Sequence, residues 1–186
     1  GVFEGWAFTN AKDETLIFDT QGVLQEIDYR NGGSETLQYN LTLAQGGDDD
    51  PKTLDRVDDH LGRSLTFTYA NNRIDTIIDA QGEVYSYSYT TDNFLETVTY
   101  PDSDTDPTNN PVRQYHYNEN SSPFFLWSLT GITDERGVRY ANWEYEGFRA
   151  IASSHGAQSS GIDLVTVDYS GIPSEYDING SVSTTN

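Results

Sequence analysis

The sequence contains no cysteine, and it has few basic residues for its length. Without cysteine, the 186-residue chain can form neither a disulfide nor a thiolate-based zinc site. Its 10 Lys and Arg stand against 30 Asp and Glu, which gives a formal net charge of −20. Nucleic acids and anionic membrane surfaces both attract clustered Lys and Arg. The composition therefore argues against either partner.

The sequence also lacks long apolar runs and clear helix signals. No stretch is apolar enough for a transmembrane helix and no signal peptide opens the chain, so no membrane insertion is expected. By length, residues 1–186 form a single domain. The start at Gly1 and the end at Asn186 favour a fragment of a longer protein. The acidic surface favours solubility, and the alternatives are adaptation to salt or binding of divalent cations.

Strand-like alternation is the main signal that the sequence does contain, and it is clearest over residues 58–100. Two runs alternate with Ser and Thr: Leu65, Phe67 and Tyr69, and then Tyr85, Tyr87 and Tyr89. Side chains on a strand point to opposite faces with period two, so each run has an aromatic face and a small polar face. Turn signals separate the runs at 70–72, 80–82 and 91–93. The pattern predicts an all-β fold of repeated antiparallel hairpins.

The predicted turns share an Asp-x-x-Gly cassette. An Asp at the first position can bond to the backbone two residues on, and a Gly at the fourth can adopt a positive φ without steric cost. The cassette occurs six times, at Asp19–Gly22, Asp59–Gly62, Asp79–Gly82, Asp134–Gly137, Asp168–Gly171 and Asp177–Gly180. Tyr69 and Tyr89 lie twenty residues apart, as do Gly62 and Gly82. A strand–turn–strand unit that recurs at this length indicates a repeat architecture.

These residues resemble the tyrosine–aspartate (YD) repeats of rearrangement-hotspot (RHS) proteins. The resemblance is carried by Leu61–Tyr69, Asp79–Tyr89, Thr97–Asp102 and Leu129–Ala141. It covers 58–169 well. Residues 1–57 are similar to the irregular strands that open such regions, and residues 170–186 to a further repeat or a tail. The autoproteolysis segment and the variable toxin region of that family have no counterpart here.

The resemblance implies a structural role. YD repeats wind as a continuous ribbon into a hollow shell around a secreted toxin, or they form a large surface scaffold. The chain has too few hairpins to close a shell, so the expectation is a curved, open β-sheet ribbon. Its expected partners are the rest of the same polypeptide or an encapsulated toxin, and its expected location is secreted or at the cell surface.

Carboxylates are the first candidates for chemistry. Asp102, Asp104 and Asp106 begin like a calcium loop, but Pro107 and Arg113 stand where that loop requires Gly and the bidentate Glu. A looser calcium site using these aspartates and Asn109 is the weak metal candidate, and the run 48–50 is a weaker one. No other cofactor is expected. No pair of carboxylates stands out as the acid and base of a glycosidase.

Other catalytic patterns are weaker still. His60, His116 and His155 are separate in the sequence, which disfavours metal ligation. Ser153–His155 lacks the Gly-x-Ser-x-Gly elbow of a hydrolase, and no glycine-rich loop is suited to a phosphate. We therefore predict that the protein is not an enzyme.

The aromatic residues allow two interpretations. Cross-strand packing explains them as sheet stabilisation. Alternatively, exposed rings stack on sugars in a polysaccharide-binding or adhesive module. The candidate stacking residues are Tyr85, Tyr87, Tyr89, Trp127 and Trp143, with Tyr115 and Tyr117 on the same type of face.

Overall fold

The structure is a computed structural model that describes residues 4–40, 53–102, 104, 106, 108–119, 127–147, 149–156 and 162–169. This part of the chain contains fourteen strands and no helix. The strands are β1 Trp6–Thr9, β2 Thr15–Phe18, β3 Leu24–Asp28, β4 Ser34–Asn40, β5 Thr53–Asp59, β6 Ser64–Ala70, β7 Arg73–Ile78, β8 Val84–Tyr89, β9 Leu95–Thr99, β10 Val112–Tyr117, β11 Leu129–Thr133, β12 Arg139–Glu146, β13 Arg149–His155 and β14 Ile162–Thr166.

The strands follow one another in the sheet in the order in which they occur in the sequence, from β1 to β14. Each resolved pairing is antiparallel, as in β1 with β2 and β13 with β14. In the described part of the chain the sheet is open, with β1 and β14 at its two ends. The prediction of an all-β fold of antiparallel hairpins in an open sheet is confirmed. Within the same residues, no helical segment has the length and apolarity needed to cross a lipid bilayer.

The chain forms two compact units. Unit 1 comprises Gly1–Ser88 and Val98–Asn110, and unit 2 comprises Tyr89–Thr97 and Pro111–Asn186. The strands β1 to β7 lie in unit 1, whereas β10 to β14 lie in unit 2. The site described below lies within unit 2.

One turn geometry recurs among the described residues. The first residue donates its N–H to the carbonyl of the fifth, and the fourth donates to the carbonyl of the first. In the turn at Asp79, for example, these N···O distances are both 3.0 Å. Seven turns share this pair of bonds, and they begin at Asn10, Asp19, Tyr29, Asp59, Asp79, Thr90 and Asp134.

The aspartates of four turns, Asp19, Asp59, Asp79 and Asp134, make the same additional contacts. In each, one carboxylate oxygen accepts hydrogen bonds from the backbone N–H two and four residues on, at 2.9–3.0 Å. The glycine at the fourth position has φ between 73° and 84°, a conformation that costs other residues steric strain. Asp168 is described, whereas Gly171 and Asp177–Gly180 lie outside the described residues.

Three turns have the same backbone bonds without the Asp-x-x-Gly letters. Their fourth residues are Asp13, Gly32 and Asn93, with φ of 60°, 83° and 72°. At two of them the first residue still supplies an acceptor, because Asn10 Oδ1 binds Glu14 N–H and Thr90 Oγ1 binds Phe94 N–H. Asp and Asn tolerate positive φ better than other side chains do, so these turns are chemical equivalents of the cassette.

Tyrosine hydroxyls close the open ends of four hairpins, and we call each such contact a tyrosine clasp. In each clasp, a tyrosine at or just after the end of an even-numbered strand donates to a carbonyl at the start of the preceding strand. The four pairs are Tyr69 with Leu54, Tyr117 with Leu95, Tyr145 with Leu129 and Tyr169 with Ala150, at O···O distances of 2.8–3.0 Å. Two of these hairpins, β5–β6 and β11–β12, thus have an Asx turn at one end and a clasp at the other.

Burial is shallow along the described strands. The alternation predicts a buried face, but Val98 and Ala141 are the only described apolar residues that are buried, at 7% and 6% exposure. Leu65, on the alternating run of β6, is 43% exposed. Most strand residues, including Phe67 and Tyr69, are half-buried. A single sheet layer covers one side of a side chain and leaves the other to solvent or to a partner.

Candidate functional site

The most deeply buried polar side chains of the described residues lie around Arg139 in unit 2. Thr130 and Asn142 are each 2% exposed. We call this group the Arg139 network, and its members are His116, Glu119, Thr130, Thr133, Arg139 and Asn142. Buried polar groups are costly unless hydrogen-bonded, so their partners decide what the network can do.

A glycine makes room for the network. In the register of β11 with β12, Gly131 lies opposite Asn142. The guanidinium of Arg139 lies directly over Gly131, and a Cβ at that position would sit 1.7 Å from Arg139 Nη2. The Asp134 turn joins the two strands and brings Arg139, the first residue of β12, back alongside β11.

The guanidinium is bonded on three sides. Nη1 and Nη2 donate to the two carboxylate oxygens of Glu119, the first at 3.0 Å. Nη2 also donates to the carbonyl of Thr130 at 3.1 Å, and Nε donates to Asn142 Oδ1 at 2.8 Å. Asn142 in turn donates to the carbonyl of Gly156 at 2.7 Å. The network therefore ties residues from 119 to 156 together.

The titratable groups of the network are held in defined states. Hydrogen bonds from Arg139 hold the pKa of Glu119 below its ordinary value, against the effect of burial. Burial lowers the pKa of His116, and the charge of Arg139 lowers it further. Glu119 is therefore a carboxylate and His116 a neutral imidazole at neutral pH.

The geometry of His116 also limits its chemistry. Its Nε2 lies 2.7 Å from Thr133 Oγ1, whereas its Nδ1 is 3.8 Å from Glu119 Oε1, which is longer than a hydrogen bond. A general acid of a glycosidase needs a raised pKa, and the pKa of Glu119 is shifted in the opposite direction. The network is arranged to hold backbone segments in place.

The other histidine candidate lies at the end of β13. His155 Nδ1 is 3.7 Å from Asp163 Oδ2, and the two side chains are 57% and 74% exposed. The His155 ring centroid lies 5.9 Å from that of Tyr140. Ser154 is buried. A catalytic triad requires a base oriented in a pocket, and this pair is largely in solvent.

The acidic loop uses its carboxylates internally. Asp102 Oδ1 accepts from Asp104 N–H at 3.0 Å, and Asp104 Oδ1 accepts from Asp106 N–H at 2.7 Å. Asn109 Nδ2 donates to Asp104 Oδ2 at 3.0 Å. The hydroxyl of Thr108 donates to Asp106 Oδ1 at 2.6 Å. The side-chain bond from Asn109 lowers the pKa of Asp104, and the bond from Thr108 lowers the pKa of Asp106. Among the described residues, no three His, Asp or Glu side chains come together in a metal-binding arrangement; residues 48–50 lie outside them.

The predicted stacking residues differ in exposure. Trp127 is 63% exposed, whereas Tyr85, Tyr87, Tyr89 and Trp143 are half-buried. Tyr85 packs edge-to-face against Tyr100, with ring centroids 5.9 Å apart. Edge-to-face contact is the packing that aromatic rings favour in sheets and cores.

A groove beside β10 is a feature that the sequence did not indicate. We call it the β10 groove. Its volume is about 370 Å³, and its lining residues are Thr90, Asp92, Phe94, Glu96, Gln114, Tyr115, His116, Tyr117, Asn118 and Glu119. The only sequence signal was the alternation of polar and aromatic residues on β10. A smaller hollow of about 260 Å³ lies in unit 1, beside Val57 and Leu65.

Comparisons with known proteins do not identify the chain. No protein-family model matches it, and no curated protein matches it.

Proposed function

We propose that this chain is a structural segment of a β-wall of the YD-repeat type, secreted or exposed at a cell surface, which encloses a toxin or another cargo. The observation that carries the proposal is the recurrence of one hairpin design. Turns with identical backbone bonds recur along the chain, as do tyrosine clasps, and both devices occur in unit 1 and in unit 2. Recurrence of one self-similar unit is the property of repeat scaffolds.

The use of polar side chains supports the same role. The turn aspartates bind backbone N–H groups, four tyrosine hydroxyls bind backbone carbonyls, and Arg139 binds Glu119, Thr130 and Asn142. These groups hold the backbone in place and are not presented to a substrate. We assign no reaction to any residue, and the proposed partners are the rest of the same polypeptide and the enclosed cargo.

Shallow burial is a further support. A hairpin with few buried apolar side chains cannot fold by itself, since isolated two-stranded hairpins are marginal in water. In a repeat array each hairpin is stabilised by its neighbours. The half-buried apolar residues of the described strands are consistent with a wall that has a cargo or a second layer on one side.

A second candidate is glycan binding or adhesion, and one observation favours it. Trp127 is 63% exposed, and exposed indole faces are suitable for stacking on sugar rings. A glycan array and tryptophan fluorescence of the chain, with Trp127→Ala as the matched variant, test this candidate. Binding that the variant loses would support it.

The wall proposal is tested by cryo-electron microscopy of the natural polypeptide that contains this sequence. The expected result is a hollow particle whose wall includes these strands as a continuous antiparallel ribbon. A particle without an internal space, or one in which these strands pack as a solid separate domain, would contradict the proposal. Protease protection of the enclosed segment in the wild type, lost in Gly131→Ala, is the matching solution measurement.

A further inference from the structure

The β10 groove combines aromatic rings with carboxylates. Phe94 and Tyr117 pack together with ring centroids 5.2 Å apart, and Tyr115 lines the groove beside them. Tyr117 is fixed further by its clasp to the carbonyl of Leu95 at 2.9 Å. The volume of about 370 Å³ is within the range of small-ligand sites, roughly 300–1,000 Å³. The aromatic part of the groove is thus pre-formed.

The charge of the groove is not balanced by its own residues. Three of its lining residues, Asp92, Glu96 and Glu119, carry carboxylates, and no Lys or Arg lines it. Arg139 neutralises Glu119. Asp92 and Glu96 make no ion pair with any residue that the structure describes. His116, whose pKa is lowered by burial, adds no positive charge at neutral pH.

Carboxylates next to aromatic faces are the groups that recognise organic cations. A guanidinium or ammonium group is attracted by the face of an aromatic ring, and it forms charge-assisted hydrogen bonds with a carboxylate. The net charge of −20 would attract such a ligand at long range. An anionic sugar or a phosphate would be repelled.

We propose that the β10 groove binds an organic cation, a guanidinium or alkylammonium group, between Glu96 and the ring of Tyr115, with Asp92 at its rim. The cation has two sources, a free polyamine or an Arg or Lys side chain of a basic partner segment. This inference does not rest on the wall proposal, although a basic cargo would present such side chains.

The first experiment is a calorimetric titration of the intact chain with N-acetylarginine amide. N-acetylcitrulline amide, which has nearly the same shape without the charge, is the matched ligand. Saturable binding of the arginine compound is expected, with a Kd on the order of 1 mM, and the citrulline compound should bind at least about tenfold more weakly. Equal binding of the two compounds would overturn the proposal.

Variants locate the site. Glu96→Gln should weaken binding about tenfold, and Tyr115→Leu about threefold. Asp75→Asn, an exposed carboxylate on β7 in unit 1, is the control of equal charge change and should leave the Kd unchanged. Asp92→Asn, at an exposed turn position, decides the question if Glu96→Gln unfolds. An equal loss in the control, or no loss in either groove carboxylate variant, would mean diffuse attraction to an acidic surface and would refute the site.

Two further ligands distinguish the sources. Spermidine represents a free polyamine, and a tri-arginine peptide represents a basic partner segment. Both should compete with N-acetylarginine amide, and the tighter of the two indicates the natural source. Failure of both to compete at 0.15 M salt, where exposed charges are screened over about 8 Å, would contradict a specific cation site.

Discussion

The hairpins β5–β6 and β11–β12 share a turn and a clasp, which together we call the hairpin frame. They differ in the contacts of the arginine between these two ends. Each has an Asx turn, at Asp59 and at Asp134, and each has a tyrosine clasp at its open end. In β5–β6 the cation Arg56 pairs along its own strand with Asp58 at 2.6 Å and is 42% exposed at its side chain. In β11–β12 the side chain of Arg139 is 17% exposed and binds Glu119, twenty residues away.

Gly131 explains why the two arginines have different environments. Gly131 removes one side chain from β11, and the guanidinium of Arg139 occupies the space. The frame of each hairpin depends on contacts close to the turn and at the strand ends, whereas the Arg139 network depends on residues that only the pairing of β10, β11 and β12 brings together. The comparison therefore separates a local device from a tertiary one, and five predictions test that separation.

The largest effect is expected from Gly131→Ala. The added Cβ would sit 1.7 Å from Arg139 Nη2, so Arg139 must leave Glu119, Thr130 and Asn142. Displacing a half-buried cation from four hydrogen bonds should lower the free energy of unfolding by about 3 kcal/mol. Urea denaturation measures it.

A double-mutant cycle provides the control for Gly131→Ala. Once Arg139→Ala has removed the guanidinium, Gly131→Ala should cost little more. Additive losses from the two substitutions would show that the clash with Arg139 is not the cause.

Gly82→Val should destabilise by about 2 kcal/mol, because a β-branched residue is strained at the φ of 84° found there. No atom lies within 4 Å of the site of the added Cβ, so the loss is a backbone effect. Gly137→Val, at φ 73° in the turn of β11–β12, should lose a similar amount. Gly82→Asn is the matched control, since Asn93 adopts a φ of 72° at the same turn position. Thermal melting that is equal for Val and Asn would remove the argument from φ.

Tyr69→Phe and Tyr145→Phe should each cost about 1 kcal/mol, because each removes the donor of one clasp. Tyr140→Phe, at a tyrosine that is 50% exposed, is the control and should change stability by less than about 0.5 kcal/mol. Unequal losses at Tyr69 and Tyr145 would mean that the two frames are not equivalent.

The clasps also predict behaviour in alkali. Burial raises the pKa values of Tyr69 and Tyr145, so the folded state favours the protonated phenol. The contribution of the protonated tyrosine to folding stability is fully present below the unfolded pKa of about 10. It is lost as the pH rises through the higher pKa of the folded state. The difference in stability between the wild type and Tyr69→Phe should therefore shrink above about pH 10, as followed by denaturation at each pH.

The smallest change in the free energy of unfolding is expected from Glu119→Gln, because the carboxylate of Glu119 is partly exposed. This change should depend on pH in the acid range. Its folded pKa is lowered, so its contribution is present above the unfolded value of about 4.3 and is lost as the pH falls through the folded value. The wild type should be more stable than the variant at pH 7, and the two should converge in acid. Parallel melting curves across this range would contradict the ion pair.

Turns were the most predictable part of the fold. Asp79 and Gly82 make their contacts within five consecutive residues, so the Asp-x-x-Gly motif is sufficient to predict the turn conformation. The turns at Asn10 and Thr90 were harder to recognise as members of the same class, because their fourth residues are Asp13 and Asn93. A pattern that requires an oxygen acceptor first and any residue tolerant of positive φ fourth would have found them.

The sequence does not predict the tyrosine clasps, although Tyr69 and Tyr89 recur at a spacing of twenty residues. The sequence suggested ring packing or stacking on sugars, whereas the structure shows that the hydroxyl of Tyr69 donates to a backbone carbonyl. A carbonyl acceptor has no sequence signature, because each residue possesses one. The position of the tyrosine at the end of a strand was the only available signal.

Composition and local residue patterns are sufficient to predict the class of fold, the chain reversals at the Asx turns and the sign of the surface charge, because each depends on neighbouring residues or on composition. Three contacts require the folded structure: Arg139 lies over Gly131, Glu119 and Asn142 bind Arg139, and Glu96 and Tyr115 line one groove. These residues come from different strands and turns. Strand order and register determine which of them meet, and alternation within a single strand does not specify register between strands.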